Sequence, residues 1–225
     1  TEVGNFVAGG GSLPINGPFN TLVAARDLLG PETHFVSPNN DTLYLIAMCD
    51  VRATPLVLDV PDTSGRYVVL QFVDAWTNNF AYVGTRTIGT DPARFLLAPG
   101  GYDGEVPEGA TLIEATGIFS IVGRIQVHGP ADLDAVRATQ DAFALTAVDP
   151  TAVAVGLPVP DPAVSEDLRW WESCRVAMAA FPPPAGDAEF VATCAALGLC
   201  DATSPFVDAD PEVAAVLRAA EEAGR

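Results

Sequence analysis

Lysine is absent from this sequence of 225 residues, and all 11 of its cationic side chains are arginine. Against them stand 29 Asp and Glu, for a formal net charge of −18. A chain so short of positive charge repels polyphosphate, and no basic cluster offsets the deficit, which argues against nucleic-acid binding. Long apolar runs are missing too. No stretch approaches the roughly 18 uncharged residues that a membrane-spanning helix needs. Histidine is scarce, with His34 and His128 alone, and Cys49, Cys174, Cys194 and Cys200 show no Cys-x-x-Cys spacing. A zinc site is therefore not readable. Phosphate loop, dinucleotide fingerprint, Gly-x-Ser-x-Gly elbow and zincin pattern are all lacking, so neither a metal nor a cofactor is expected. A signal segment is lacking as well. A cytosolic place is expected, or an exported one if a leader has been removed.

What the chain does have is 49% hydrophobic residues, punctuated by 20 Gly and 19 Pro. That apolar content suffices for a buried core and argues against disorder. Residues 1–18, with Gly9-Gly10-Gly11 and Gly17-Pro18, read as an extended arm. Residues 20–29 read as a short helix stopped by Gly30-Pro31. From residue 38 the pattern turns to short strands, at 42–51, 55–60, 66–74, 80–83, 94–98, 111–115 and 118–127. Turns such as Pro61-Asp62-Thr63-Ser64-Gly65 separate them. No helix-length segment intervenes, so an antiparallel sandwich or barrel is expected and a parallel βαβ sheet is not. After Gly129-Pro130 the period becomes helical. One helix runs through Leu133, Val136, Gln140, Phe143 and Leu145, and others cover 164–181, 187–197 and 212–223. Gly198 caps the third of these. The expected division is a β-sandwich domain with its arm over 1–150 and a helical extension over 151–225.

Ser37-Pro38-Asn39-Asn40-Asp41-Thr42-Leu43-Tyr44 resembles the Pro-Asn-x-Asp-Thr-Leu-Tyr signature of a bacterial family, domain of unknown function 1254. Further segments are similar to that family in the same order: Gly4-Asn5, Val60-Pro61-Asp62, Gly65-Arg66-Tyr67, Asp74-Ala75-Trp76-Thr77-Asn78-Asn79, Tyr82-Val83-Gly84-Thr85-Arg86, Gly123-Arg124 and Asp132-Leu133 with Gln140-Asp141. The resemblance implies a mainly β fold with C-terminal helices, an antiparallel jelly-roll-like β-sandwich plus a helical extension. It also implies a homo-oligomer, with a trimer as the expected form. It implies no catalytic residue, because the family has no settled activity. The helices after residue 160 are similar to the segment that joins this domain to a companion, domain of unknown function 1214, which is expected to be absent.

The candidate site residues each carry two readings. Asn40 and Asp41 precede a strand, where Asn and Asp side chains bond nearby amides in Asx-turns. The alternative is a cation site of hard oxygen ligands, for which a single acid is too few. Asp74, Trp76 and Asn79 sit at a strand end as loop caps, or else line a pocket mouth with the indole as a platform. If Asp41 and Asp74 meet, they form a carboxylate pair suited to acid–base work. Arg66, Arg86 and Arg124 each find a carboxylate in so acidic a chain, or else gather to bind an anionic ligand. Cys194 and Cys200 are expected as free thiols, with a disulfide as the alternative in an exported protein. Trp170 and Trp171 are expected to pack, one facing the sandwich and the other a partner or the next helix.

Two functions from different classes follow. The first is a self-associating β-sandwich module without a readable catalytic motif. The second is an enzyme or small-molecule binder with a polar pocket at one end of the sandwich, built from Asn40, Asp41, Tyr44, Asp74, Trp76, Asn79 and Arg124.

Overall fold

The computed structural model describes residues 15–31, 33 and 39–224. His34 and most of the expected N-terminal arm lie outside them. The chain divides into two compact units, Thr1–Gly156 and Leu157–Arg225.

The described residues of the first unit form nine strands in two sheets. In one, the order is β1 (Val23–Ala24), β2 (Thr42–Asp50), β8 (Ile118–Gln126), β4 (Val68–Asp74) and β5 (Asn79–Gly84). In the other it is β7 (Ala110–Ala115), β6 (Ala93–Pro99), β3 (Leu56–Val60) and β9 (Ala144–Ala147). Strand alternation decides which side chains meet. Leu43, Leu45 and Ala47 of β2, Leu70 and Phe72 of β4, and Phe119 and Ile121 of β8 point to one side. There they join Leu56, Leu58, Phe95 and Leu97 of the second sheet in one core. Phe80 meets Phe119 edge to face, with centroids 5.5 Å apart. A bulge between Phe72 and Val73 lets both Phe80 and Ala81 pack on this core.

Four expectations are corrected. Residues 20–29 form no helix. Asn20 adopts a left-handed backbone (φ 61°) and its side chain brackets the main chain of Asp50, accepting from the Asp50 N–H (2.7 Å) and donating to its carbonyl (3.1 Å). Val23 then pairs with Ile46 as β1, so strand addition overrides the local helical pattern. The sheets are not wholly antiparallel, because β6 and β7 run parallel once residues 100–109 have carried the chain back. Leu145 belongs to β9 and not to the preceding helix α2 (Leu133–Ala142), which stops short of it. Over the described residues the fold is mixed, about 28% helix and 27% strand, where a mainly β one was expected. A one-turn helix α1 (Thr85–Ile88), unforeseen, follows β5.

The second unit holds α3 (Arg169–Ala180), α4 (Ala188–Ala196) and α5 (Pro211–Gly224). Glu172 is fully buried and takes a bidentate pair from Arg175 (2.7 and 2.8 Å), with Ser204 donating at 2.8 Å. Trp171 is buried and donates its indole N–H to the Leu217 carbonyl of α5. Trp170, beside it, remains half exposed. All four cysteines are free thiols; burial pushes the Cys174 thiol up to about 11.

Candidate functional site

The described residues cover the outer face of the five-stranded sheet only in part. Ile15, Val23, Ala25 and Leu29 pack on Tyr44 and Ile46 of β2. Across β8, β4 and β5 the described residues leave the face more open. One row there runs Tyr44, Arg124, Val69, Gly84, and the next runs Ile46, Val122, Gln71, Tyr82. Over these rows lies a cavity of about 450 Å³ lined by Tyr67, Val69, Gln71, Tyr82, Gly84, Arg86, Thr87 and Arg124, with Val68 and Val83 in its wall.

The turn after β5 builds one side of it. At Gly84 φ is 149°, and a Cβ there would sit 2.2 Å from the Val68 carbonyl oxygen, so only glycine lets the chain cross β4 this closely. Thr85 then accepts the Val68 N–H through its hydroxyl (3.0 Å), and Thr87 accepts the Gly84 N–H (3.0 Å). Both hydroxyls replace ladder bonds that the turn would otherwise leave unmade. The result fixes Arg86 above Tyr67, its Cζ 5.9 Å from the ring centroid. Opposite, Arg124 lies over Tyr44 at 5.8 Å. Tyr44 is in turn held by Asn39, which donates to its hydroxyl from Nδ2 (2.8 Å) and from the backbone N–H (3.3 Å). Asn39 Oδ1 also accepts from the Thr42 N–H and hydroxyl, at 3.0 and 2.6 Å.

Charge accounting sets these two arginines apart. Arg26, Arg52, Arg66, Arg94, Arg137, Arg169, Arg175 and Arg218 each pair with an Asp or Glu. Among the described residues, Arg86 and Arg124 are the arginines without a carboxylate partner. Among the described residues, no acidic side chain lines their cavity. The Arg66 guanidinium behaves oppositely. It grips both oxygens of Asp132 and the Gln126 carbonyl, and together with the His128 N–H it holds the Asp132 carboxyl well below the usual carboxylate range. At the far end of β2, burial pushes the Asp50 carboxyl up. The Arg52 side chain and the Gly156 and Arg52 amides outweigh that and hold it below its ordinary value.

Of the residues expected at the site, Tyr44 and Arg124 come together here. Asn40 and Asp41 stand in the turn before β2, where the Asp41 carbonyl accepts the Val127 N–H. The side chain that organises this turn is that of Asn39. Asp74 and Trp76 belong to the other end of the sheet, whereas Asn79, opposite Val73, stands one row beyond the cavity and touches Gln71 of its lining. Asp74 is level with Phe119 and thus with Cys49, seven residues along from Thr42, or about 23 Å of strand rise. Asp41 and Asp74 therefore form no carboxylate pair. Asp74 Oδ1 instead accepts the N–H groups of Trp76 and Asn78, both at 2.8 Å, and closes a turn. Asn79 Oδ1 accepts from Gln71 Nε2. Sequence reasoning named Arg86 only in an anion-binding cluster with Arg66 and Arg124, from which the Asp132 pair removes Arg66; Tyr67, Gln71 and Tyr82, left out of the site, had a signal available. Tyr67, Val69 and Gln71 alternate onto one strand face, as do Tyr82 and Gly84. His128 lies exposed, and the described residues hold no group of His, Cys, Asp and Glu arranged to bind a metal ion. No described helix is long and apolar enough to cross a membrane.

A crystal structure of the VPA0106 protein of Vibrio parahaemolyticus is similar to this chain, with 25% identity and a TM-score of 0.67. The similarity covers 83% of this chain and 47% of that one, so the chain spans about half the length of that protein. A putative uncharacterised protein of Burkholderia cenocepacia is similar at 16% identity and a TM-score of 0.35, over 50% of this chain and 33% of that one. No curated protein matches. The sequence model of a family described as "Protein of unknown function (DUF1254)" matches residues 19–147, the stretch that builds both sheets and the arginine-lined cavity, and the chain belongs to that family.

Proposed function

We propose that this chain is a small-molecule-binding module that holds an anionic ligand on the outer face of its five-stranded sheet, through Arg86 and Arg124. One observation carries the reading. With 29 acids to 11 arginines, the described arginines find carboxylate partners except for two, and those two line one cavity with no acid among its described residues. Two uncompensated guanidiniums lining one cavity repel each other, and a bound anion lowers that cost. The cavity volume falls within the range of small-ligand sites. The test is ligand-observed NMR with phosphate, sulfate, succinate and benzoate as probes. At least one should bind the wild type and be lost in the R86A/R124A double variant. Binding of none at millimolar concentration would overturn the reading.

A second proposal concerns assembly. In the helical unit Trp170 and Phe190 are 50% exposed, Val213 54% and Val216 67%. We propose that the jelly-roll-like module self-associates through this apolar surface, with a closed trimer as the form the family resemblance implies. Light scattering at micromolar concentration should give about three times the 23.4 kDa of one chain, and a clean monomer mass would refute it.

A further inference from the structure

We infer that the ligand of the Arg86–Arg124 cavity is a carboxylate carried on a flat apolar body, such as an arene carboxylate, rather than a phosphate. The inference rests on the anion-binding reading above and narrows it.

Volume comes first. At about 30 Å³ for one water's share, 450 Å³ holds about fifteen such units, and a bare inorganic anion would leave most of the space wet. The walls come next. Tyr82, 49% exposed, and Tyr67 offer ring surface beside Val69 and the bare backbone of Gly84. Such surface gains from an apolar body and gains nothing from a small hydrated anion.

The donor set then decides the head group. A phosphate with three charged oxygens is met by many converging donors, usually a run of backbone amides. Here the Gly84 amide is spent on Thr87 and the Val68 amide on Thr85. The guanidiniums remain. Each lies over a tyrosine ring, and its planar fork matches the two oxygens of a carboxylate. Gln71 sharpens the choice. Its Nε2 donates to Asn79, which leaves its carbonyl oxygen as an acceptor on the cavity wall. An acceptor there disfavours a polyanion and suits a hydroxyl or N–H on the ligand body.

Calorimetric titration of the whole chain with 2-naphthoate, 2-naphthamide, succinate and inorganic phosphate separates the outcomes. Naphthoate should bind at least tenfold more tightly than phosphate or succinate, and naphthamide should not bind measurably. Arg124→Gln should weaken naphthoate at least tenfold. Tyr82→Ala, a half-exposed position that leaves the core intact, should weaken naphthoate several-fold and leave phosphate unchanged. Phosphate or succinate binding as tightly as naphthoate would overturn the carboxylate-on-arene class while the anion reading survives. Naphthamide binding as tightly as naphthoate, or no binding by any of the four, would overturn both.

Discussion

Arg66 and Arg86 leave opposite ends of one supersecondary unit, the β4–β5 hairpin and its flanks, and their environments differ in kind. Arg66, its side chain 14% exposed, spends its fork on Asp132 and a carbonyl. That corner ties β4 to the segment before α2, and every strong donor in it has a protein acceptor. Arg86 and Arg124 line a cavity with tyrosine faces beneath them and, among the described residues, no acid beside them. Placed in the same acidic chain, the same residue type serves structure where its charge is cancelled and, under the proposed function, recognition where it is left open. The difference lies in the partners, and local sequence does not print those.

The comparison predicts a split between stability and binding. The largest stability effect belongs to the cancelled charges. Asp50 is wholly buried and serves Arg52 and the Gly156 amide, so Asp50→Ala should cost about 3 kcal/mol in urea denaturation, because it strands a partly buried guanidinium. Acid should act on the same class. Asp132, Asp50 and Glu172 are each held below their ordinary values in the folded chain, by Arg66, by Arg52 with two amides, and by Arg175 respectively. The unfolded carboxyls titrate near pH 4. Their stabilisation is therefore complete above that value and is lost as pH falls through the lower folded values. The urea midpoint should drop between pH 6 and pH 3, and by less in Asp132→Asn.

Asn39→Ala removes the bonds to Tyr44 and Thr42 and should cost about 1 kcal/mol. It should also weaken ligand binding at Arg124 by loosening the ring beneath it. The smallest stability effect should come from the open charges. Arg86→Ala and Arg124→Ala, each exposed, should stay within about 0.5 kcal/mol of the wild type while removing binding. A melting profile that fell as far for Arg124→Ala as for Asp50→Ala would erase the distinction between the two regions.

Much of the fold was legible because the strand signal is local. Thr42–Asp50, Leu56–Val60 and Val68–Asp74 each show a β-rich run between Pro, Gly and Asp turns, and each forms where expected. Residues 20–29 misled because their helical spacing competes with pairing to β2, a partner across the sheet. The site was legible only in halves. Tyr44 and Arg124 stood out beside glycine and within a signature, and the structure joins them. Asp74 looked equally promising, yet the antiparallel course of β8 sends it to the other end of the sheet, and Asn79 reaches the cavity only through Gln71.

The sequence by itself determined the charge deficit, the absence of lysine, the apolar content and the positions of most strands, since each depends on composition or on neighbours a few residues apart. Arg52, Arg169 and Arg175 find an acid two or three residues away, whereas tertiary structure decided the partners of Arg66 and Arg86. Arg66 meets Asp132, and Arg86 meets Tyr67, through contacts whose partners lie far along the chain. A guanidinium's role is set by Coulomb energy over a few ångströms, and only the register of β8 against β2 and β4 brings those ångströms into being.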